Sequence, residues 1–328
     1  MRRRLAAALL GLLPPATGVL ADAGAPLTLE RKIPLGPVRG RIDHLAVDLA
    51  RERLLVAELG NGSLGVVDLD KGEVAKRIGG LKEPQGVAYV PGADLVYVAS
   101  GGDGTLRRYA GADLGPAGVT KLGDDADNVR LDPRGGRVVV GYGGGALALV
   151  DAASGEKTGE IALPGHPESF RLEENGPRAF VNVPAARQVV VVDREAGRQV
   201  AAWKVPGRDN FPMALDEAGG RLLVVDRNPP ELLVLDTASG NTVARLPTCG
   251  DADDVFVDAK RDQVYVSCGE GVVDVVRRRG NAYEELARVP TASGARTALF
   301  VPELDRLYVA ARAGDGRRAA VLVLRPGP

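Results

Sequence analysis

The sequence predicts an all-β fold: a seven-bladed β-propeller with four antiparallel strands per blade, closed by an N-terminal strand that completes the last blade. Three observations carry this expectation. A strand–turn–strand unit recurs seven times at a near-constant spacing. The composition suits many turns and a core of small aliphatic side chains, since 43 of 328 residues are Gly and 22 are Pro, with 45% hydrophobic but only 4% aromatic. The repeats leave almost no place for a helix.

The first two strands of each unit are the clearest. Residues 45–56 read LAVDLARERLLV, 88–98 AYVPGADLVYV and 129–140 VRLDPRGGRVVV. Residues 170–181 read FRLEENGPRAFV, 213–224 MALDEAGGRLLV, 255–266 VFVDAKRDQVYV and 299–309 LFVPELDRLYV. The turns open at Asp48, Pro91, Asp132, Glu173, Asp216, Asp258 and Pro302, spaced by 43, 41, 41, 43, 42 and 44 residues. A period in the low forties, held over seven copies, belongs to propeller blades. Third strands follow at 64–68, 146–151, 189–193 and 232–236. Several lead into an Asp and a Gly-bearing turn, as in DAASGE, DREAGR and DTASGN. There the Asp accepts backbone N–H bonds from two residues on, and Gly takes positive φ. Fourth strands, more polar, lie at 74–78, 158–163, 200–205 and 243–246. Apolar inner strands and mixed outer ones describe a blade.

Six units are complete, and the seventh stops after its third strand, 321–324. Residues 27–35 are left over at the start. As the fourth strand of the last blade they close the ring and remove an unpaired sheet edge. Residues 24–328 then form a single propeller domain.

Residues 1–23 read as a secretory signal peptide. Met1-Arg2-Arg3-Arg4 is basic, 5–13 is apolar but too short to span a bilayer, and Pro14-Pro15 would break a helix. Small residues allow cleavage after Ala21 or Ala23. Cleavage after Ala23 removes Arg2, Arg3, Arg4 and Asp22 and takes the net charge from −1 to −3. A soluble, slightly acidic, monomeric protein is expected, periplasmic or secreted, with no membrane span. No long basic run suggests a nucleic-acid partner. Two His and two Cys exclude most zinc sites built from those ligands alone, and no CxxCH is present for covalent haem. An oxidising compartment favours pairing of Cys249 with Cys268. Setting Val255 and Val257 opposite Val266 and Val264 puts Cys268 opposite residue 253, at the end where the loop carrying Cys249 arrives.

The units VYVASGGDGTLRRY and RLLVVDRNPPELLVLDTASGNTVARL resemble YVTN-type repeats of the YncE-like group of exported bacterial β-propellers. The resemblance spans about residues 27–326. It implies a seven-bladed ring whose ligand sites cluster where the innermost strands begin. It also implies a range of roles, since such propellers include binding proteins, lactonases and subunits of redox enzymes. Fold alone does not choose among them.

Five residues before each turn residue stand Asp43, Gly86, Asp127, Glu168, Phe211, Asp253 and Thr297, so four of the seven positions are acidic. His44, Asn128 and Asp254 follow directly, and Arg296 and His166 lie close by in sequence. Blades 3 and 6 share a near-copy, GDDADNV against GDADDV. The functional reading is an acidic channel mouth with His, Asn and Arg partners. Asp43, Asp127, Glu168 and Asp253 would supply oxygen ligands for a divalent cation such as calcium. The plainer reading is that these acids accept loop N–H bonds and order the loops. His44 and His166 fall on blades 1 and 4 and are expected well apart, as solvated loop residues. Gly143-Gly144-Gly145 precedes no helix, so it is no phosphate cradle. Arg277-Arg278-Arg279 reads as a solvated hairpin.

Three functions follow. The preferred one is a non-catalytic exported propeller that binds a small molecule, a cation or a periplasmic partner protein over the acidic mouth. The second is a lactonase-type hydrolase in which a metal polarises the carbonyl and Asp43 or Glu168 handles the proton. The third is an accessory subunit of a periplasmic redox or metal-handling complex.

Overall fold

The repeated hairpins form because each carries its own turn chemistry. Pro91 and Pro302 open single 3-10 turns, Pro91–Ala93 and Pro302–Leu304, where the fixed φ of proline suits the first position. Asp48 does the same work at Leu49–Arg51 by accepting from the Arg51 amide at 3.2 Å. The residues that leave these three turns, Glu52, Asp94 and Asp305, are left-handed. A computed structural model describes residues 24–328, so the expected signal peptide lies outside the described residues.

Among the described residues, twenty-eight strands form seven four-stranded antiparallel sheets. Among the described residues the only helical elements are 3-10 turns of three residues. The innermost strands are Leu45–Asp48, Pro84–Val90, Val129–Leu131, Ser169–Leu172, Arg208–Asp216, Ala252–Asp258 and Ala298–Val301. The remaining strands of each blade follow outward in chain order. Blade 7 is the exception. Its outer strand is Leu27–Gly36, paired antiparallel with Ala319–Pro326, with Leu27 opposite Pro326 and Ile33 opposite Val321. The ring is therefore a seven-bladed β-propeller closed by its N-terminal strand. The closing pair extends past the expected third strand at both ends.

Successive side chains of a strand point to opposite faces, so each blade feeds two cores. Leu54 and Val56 pack towards blade 7, while Leu55 and Ala57 pack towards blade 2. Seven apolar clusters result, one between each pair of neighbouring blades. The closing strand serves two of them, with Leu27 on the blade 6 side and Ile33 and Leu35 on the blade 1 side.

Cys249 and Cys268 form a disulfide with their Cα atoms 5.9 Å apart. The expected register needs one correction. Val255 and Val257 do face Val266 and Val264, but a bulge at Asp253 sets Cys268 opposite Ala252 rather than residue 253. Bulges insert one unpaired residue and re-aim its side chain. No helix among the described residues is long and apolar enough to cross a membrane.

Candidate functional site

One backbone geometry recurs where the innermost strands begin. The amides of Asp43, Asp127 and Glu168 donate to Ala57 O, Gly141 O and Asn182 O at 2.8, 2.9 and 3.1 Å, each near the end of the second strand of the same blade. Equal repeat positions thus arrive at equal places on the ring. Blade 2 lacks an acid for a steric reason, because a Cβ on Gly86 would lie 2.0 Å from the Asp127 carbonyl oxygen. In blade 5 Phe211 instead receives the Arg227 guanidinium, 4.0 Å from its ring centroid. In blade 7 the Thr297 hydroxyl donates to Ile42 O at 3.2 Å and ties the seam to blade 1.

The four acids lie at one mouth and feel one another's charge. Burial raises the carboxyl of Asp43, with Arg41 opposing. Burial also raises Asp127; His166 opposes that rise, and the charges of Asp43 and Glu168 add to it. Glu168 is raised by burial, against His166 and with Asp253. Removing water from an acid disfavours its charge, and neighbouring acids compound the effect.

The acidic mouth expected from the sequence, with Arg296 as its arginine partner, holds two further arginines. Arg41 Nη2 lies 2.5 Å from Asp43 Oδ2. Arg296 reaches Asp251 Oδ1 at 2.7 Å and Asp253 Oδ2 at 3.1 Å, and Arg227 also pairs with Asp253. Of these three arginines only Arg296 stands out in sequence. Arg41 and Arg227 come from repeat positions with no periodic signal.

The histidines also depart from expectation. His44 Nε2 lies 3.8 Å from Asp127 Oδ1, and His166 Nε2 lies 3.8 Å from Asp127 Oδ2. Neither is a freely solvated loop residue. The mouth is narrow enough for blades 1, 3 and 4 to meet there. Their environments differ. Burial, with Arg130 and Arg171 nearby, pushes His44 down to about 3, so it is neutral. Its Nε2 then accepts from Asn128 Nδ2 at 3.0 Å, which places the ring proton on Nδ1. Burial also works against charge on His166, but contact with Asp127, the bond to Gly143 O and the charge of Asp125 prevail and raise it to about 9.

Asn128 also donates to Glu168 O and so links blades 3 and 4. Asp254 sits deeper. Its Oδ2 accepts from the Ala298 amide at 2.8 Å, and it lines the channel beneath the mouth with His44. Burial raises it to about 7, with the Asp253 charge adding and Arg171 and Arg130 opposing. Two buried acceptors at the mouth, Asp127 Oδ1 and Asn128 Oδ1, have no hydrogen-bond partner. Among the described residues no group of three or more His, Cys, Asp or Glu side chains is arranged to hold a metal ion.

No family model matches the chain, and no curated protein matches it. Solved structures do resemble it. A chain of the Kuenenia stuttgartiensis hydrazine synthase superposes with a TM-score of 0.74 at 17% identity, covering 88% of this chain and 97% of that one. A chain of the mitotic checkpoint complex gives 0.81 at 12% identity over 100% of both chains. U3-55K gives 0.75 at 10% identity, over 88% of this chain and 99% of that one. At such identities the likeness is one of fold, and the fold it supports is the seven-bladed β-propeller.

Proposed function

We propose that this chain is an exported, non-catalytic propeller of the YVTN-repeat, YncE-like kind, binding a small polar ligand or a periplasmic partner protein over its channel mouth. The observation that carries the reading is the pair of orphan acceptors, Asp127 Oδ1 and Asn128 Oδ1, buried beside partly neutralised acids. A buried acceptor without a donor costs free energy, which a ligand's N–H or ammonium group would recover. Export is supported by the leader pattern of residues 1–23 and by the disulfide, which persists in oxidising compartments.

The ligand class that follows is one that engages acceptor oxygens: an N–H donor such as an amine or a lysine or arginine of a partner, or a calcium ion that the same oxygens would coordinate. Calcium would require Asp43, Asp127, Glu168 and Asp253 to draw into a single coordination shell. The test is a thermal melt of the purified protein with calcium chloride and, separately, with a trilysine peptide, each against potassium chloride at matched ionic strength. A rise in melting temperature with at least one of them, lost in Asp127→Asn, supports the reading. No rise with either sinks it.

A lactonase-type hydrolase is the second reading, favoured by one observation. Asp127 stands 3.8 Å from two imidazoles of different protonation, an arrangement suited to passing a proton. Hydrolysis of a simple lactone that disappears in His166→Gln would support it.

A further inference from the structure

Below the mouth, the central channel holds two arginines that form no ion pair among the described residues. Arg130 and Arg171 occupy the same repeat position on the innermost strands of blades 3 and 4, each two residues before its turn residue, Asp132 or Glu173. Both line a cavity of about 240 Å³, together with Asp254 and the apolar Leu45, Phe256 and Leu299. A second cavity of about 250 Å³ shares Leu45, Arg130 and Leu299 with the first and adds Tyr89, Leu131, Phe300 and the exposed Glu303. The channel is therefore largely apolar around its band of arginines.

That band is unpaired. Arg130 Nη1 donates to Val129 O at 3.1 Å and Arg171 Nη1 to Phe170 O at 3.3 Å, each a bond to the preceding residue's carbonyl. Neither forms an ion pair among the described residues, whereas Arg41, Arg227 and Arg296 at the mouth all do. Burial lowers Arg130, and burial together with the Arg130 charge lowers Arg171 to about 9. Asp254 is the acid whose charge both arginines feel, and burial leaves it only partly ionised near neutral pH. One of its oxygens is already held by the Ala298 amide. Both arginines are partly buried, and two like charges held close together in a narrow channel repel unless something pairs with them. A planar guanidinium matches a carboxylate with two parallel hydrogen bonds.

We propose that Arg130 and Arg171 form an anion site inside the channel, and that its ligand is a small organic carboxylate with an apolar body. The carboxylate bridges the two guanidinium groups, and the body lies against Leu45, Phe256 and Leu299. The apolar walls favour such an acid over a bare inorganic anion. A cavity of about 240 Å³ is smaller than the roughly 300 Å³ at which pockets for drug-sized ligands begin, so the ligand is small. This site goes beyond the mouth and does not rest on it.

The test is calorimetric titration and thermal melting of the purified protein with sodium benzoate, inorganic phosphate and benzyl alcohol at constant ionic strength. Benzoate should bind at one site and raise the melting temperature, with phosphate and benzyl alcohol about tenfold weaker or worse. Arg130→Gln and Arg171→Gln should each lose about tenfold or more in benzoate affinity. Without ligand, both variants should melt no lower than the parent, because each removes one of two facing cations. A purely structural role for the arginines predicts the reverse. Asp254→Asn, which removes the facing acid, should tighten benzoate. Asp127→Asn should leave benzoate binding in place, so the mouth and the channel fail separately. The proposal is overturned if benzoate has no effect, if phosphate or benzyl alcohol binds as well as benzoate, if neither Arg variant weakens benzoate, or if both Arg variants lower the ligand-free melt.

Discussion

Ring closure can be tested through a single side chain, Ile33. It lies on the N-terminal strand opposite Val321, fully buried between blades 7 and 1 among Leu35, Leu54, Val56 and Tyr308. Ile33→Ala removes three carbons, about 2.4 kcal/mol of transfer free energy at roughly 0.8 kcal/mol each. The residual cavity adds to this, and buried Ile→Ala changes cost about 2–5 kcal/mol in all. Unfolding entropy near 2.1 cal/mol/K per residue, taken over the residues of the ring, is about 0.6 kcal/mol/K. A loss of about 3 kcal/mol then lowers the melting temperature by about 5 °C. Leu29 on the same strand is 49% exposed, and Leu29→Ala should stay within about 0.5 kcal/mol. Deleting 24–36 removes three buried side chains, Leu27, Ile33 and Leu35, and bares the edge of Ala319–Pro326. At about 1.5–3 kcal/mol each, that loss of roughly 5–9 kcal/mol rivals the 5–15 kcal/mol of a typical fold. The assay is calorimetric melting with guanidinium titration at 25 °C. Equal shifts for Ile33→Ala and Leu29→Ala, or a truncation that melts like the parent, would refute the closure argument.

Three further outcomes are expected. Replacing Cys249 and Cys268 with Ser opens a link between residues 19 apart and should cost about 3 kcal/mol on the chain-entropy model, read as a lower guanidinium midpoint; an unchanged midpoint counts against it. Arg194 is buried, 2.7 Å from Asp132 Oδ1, and donates to Glu173 O and Gly176 O at 2.7 Å and Pro177 O at 3.1 Å. Arg194→Met leaves these carbonyls without their donor and Asp132 with only Arg137 and the Arg134 amide; it should cost about 3 kcal/mol, whereas a surface role would cost almost nothing in the same titration. Burial raises Asp254 to about 7, so the unfolded chain releases this proton first. Its contribution to stability is whole below about pH 4 and is lost as pH rises through about 7. Asp254→Asn should flatten the fall in melting temperature across that window, and an unchanged slope would contradict the assignment.

How the candidate site reads from sequence differs residue by residue. Asp43, Asp127, Glu168 and Asp253 were legible because they recur at one repeat position, and equivalent backbone bonds carry the first three to the mouth, while Asp253 arrives on a bulge. Arg130 and Arg171 share a repeat position too, and comparing the blades two residues before the turn would have found them. Arg41 and Arg227 left no such trace. One precedes Asp43 by two residues, and the other sits near the end of the second strand of blade 5. The compensation of the acids was therefore hidden, apart from Arg296.

The sequence by itself determined the strands, the seven blades and the closing segment. Turn chemistry and two-residue alternation operate within a single hairpin, and a repeat near 42 residues makes them visible seven times over. The tertiary structure alone decided which side chains meet. Ring curvature brings His44 and His166, from blades 1 and 4, to 3.8 Å from the same Asp127 carboxylate. A one-residue bulge re-aims Asp253, and burial together with neighbouring charges and hydrogen bonds sets which of the gathered groups carry charge. Distances across a channel depend on how all seven blades close together, and no local pattern of forty residues encodes that.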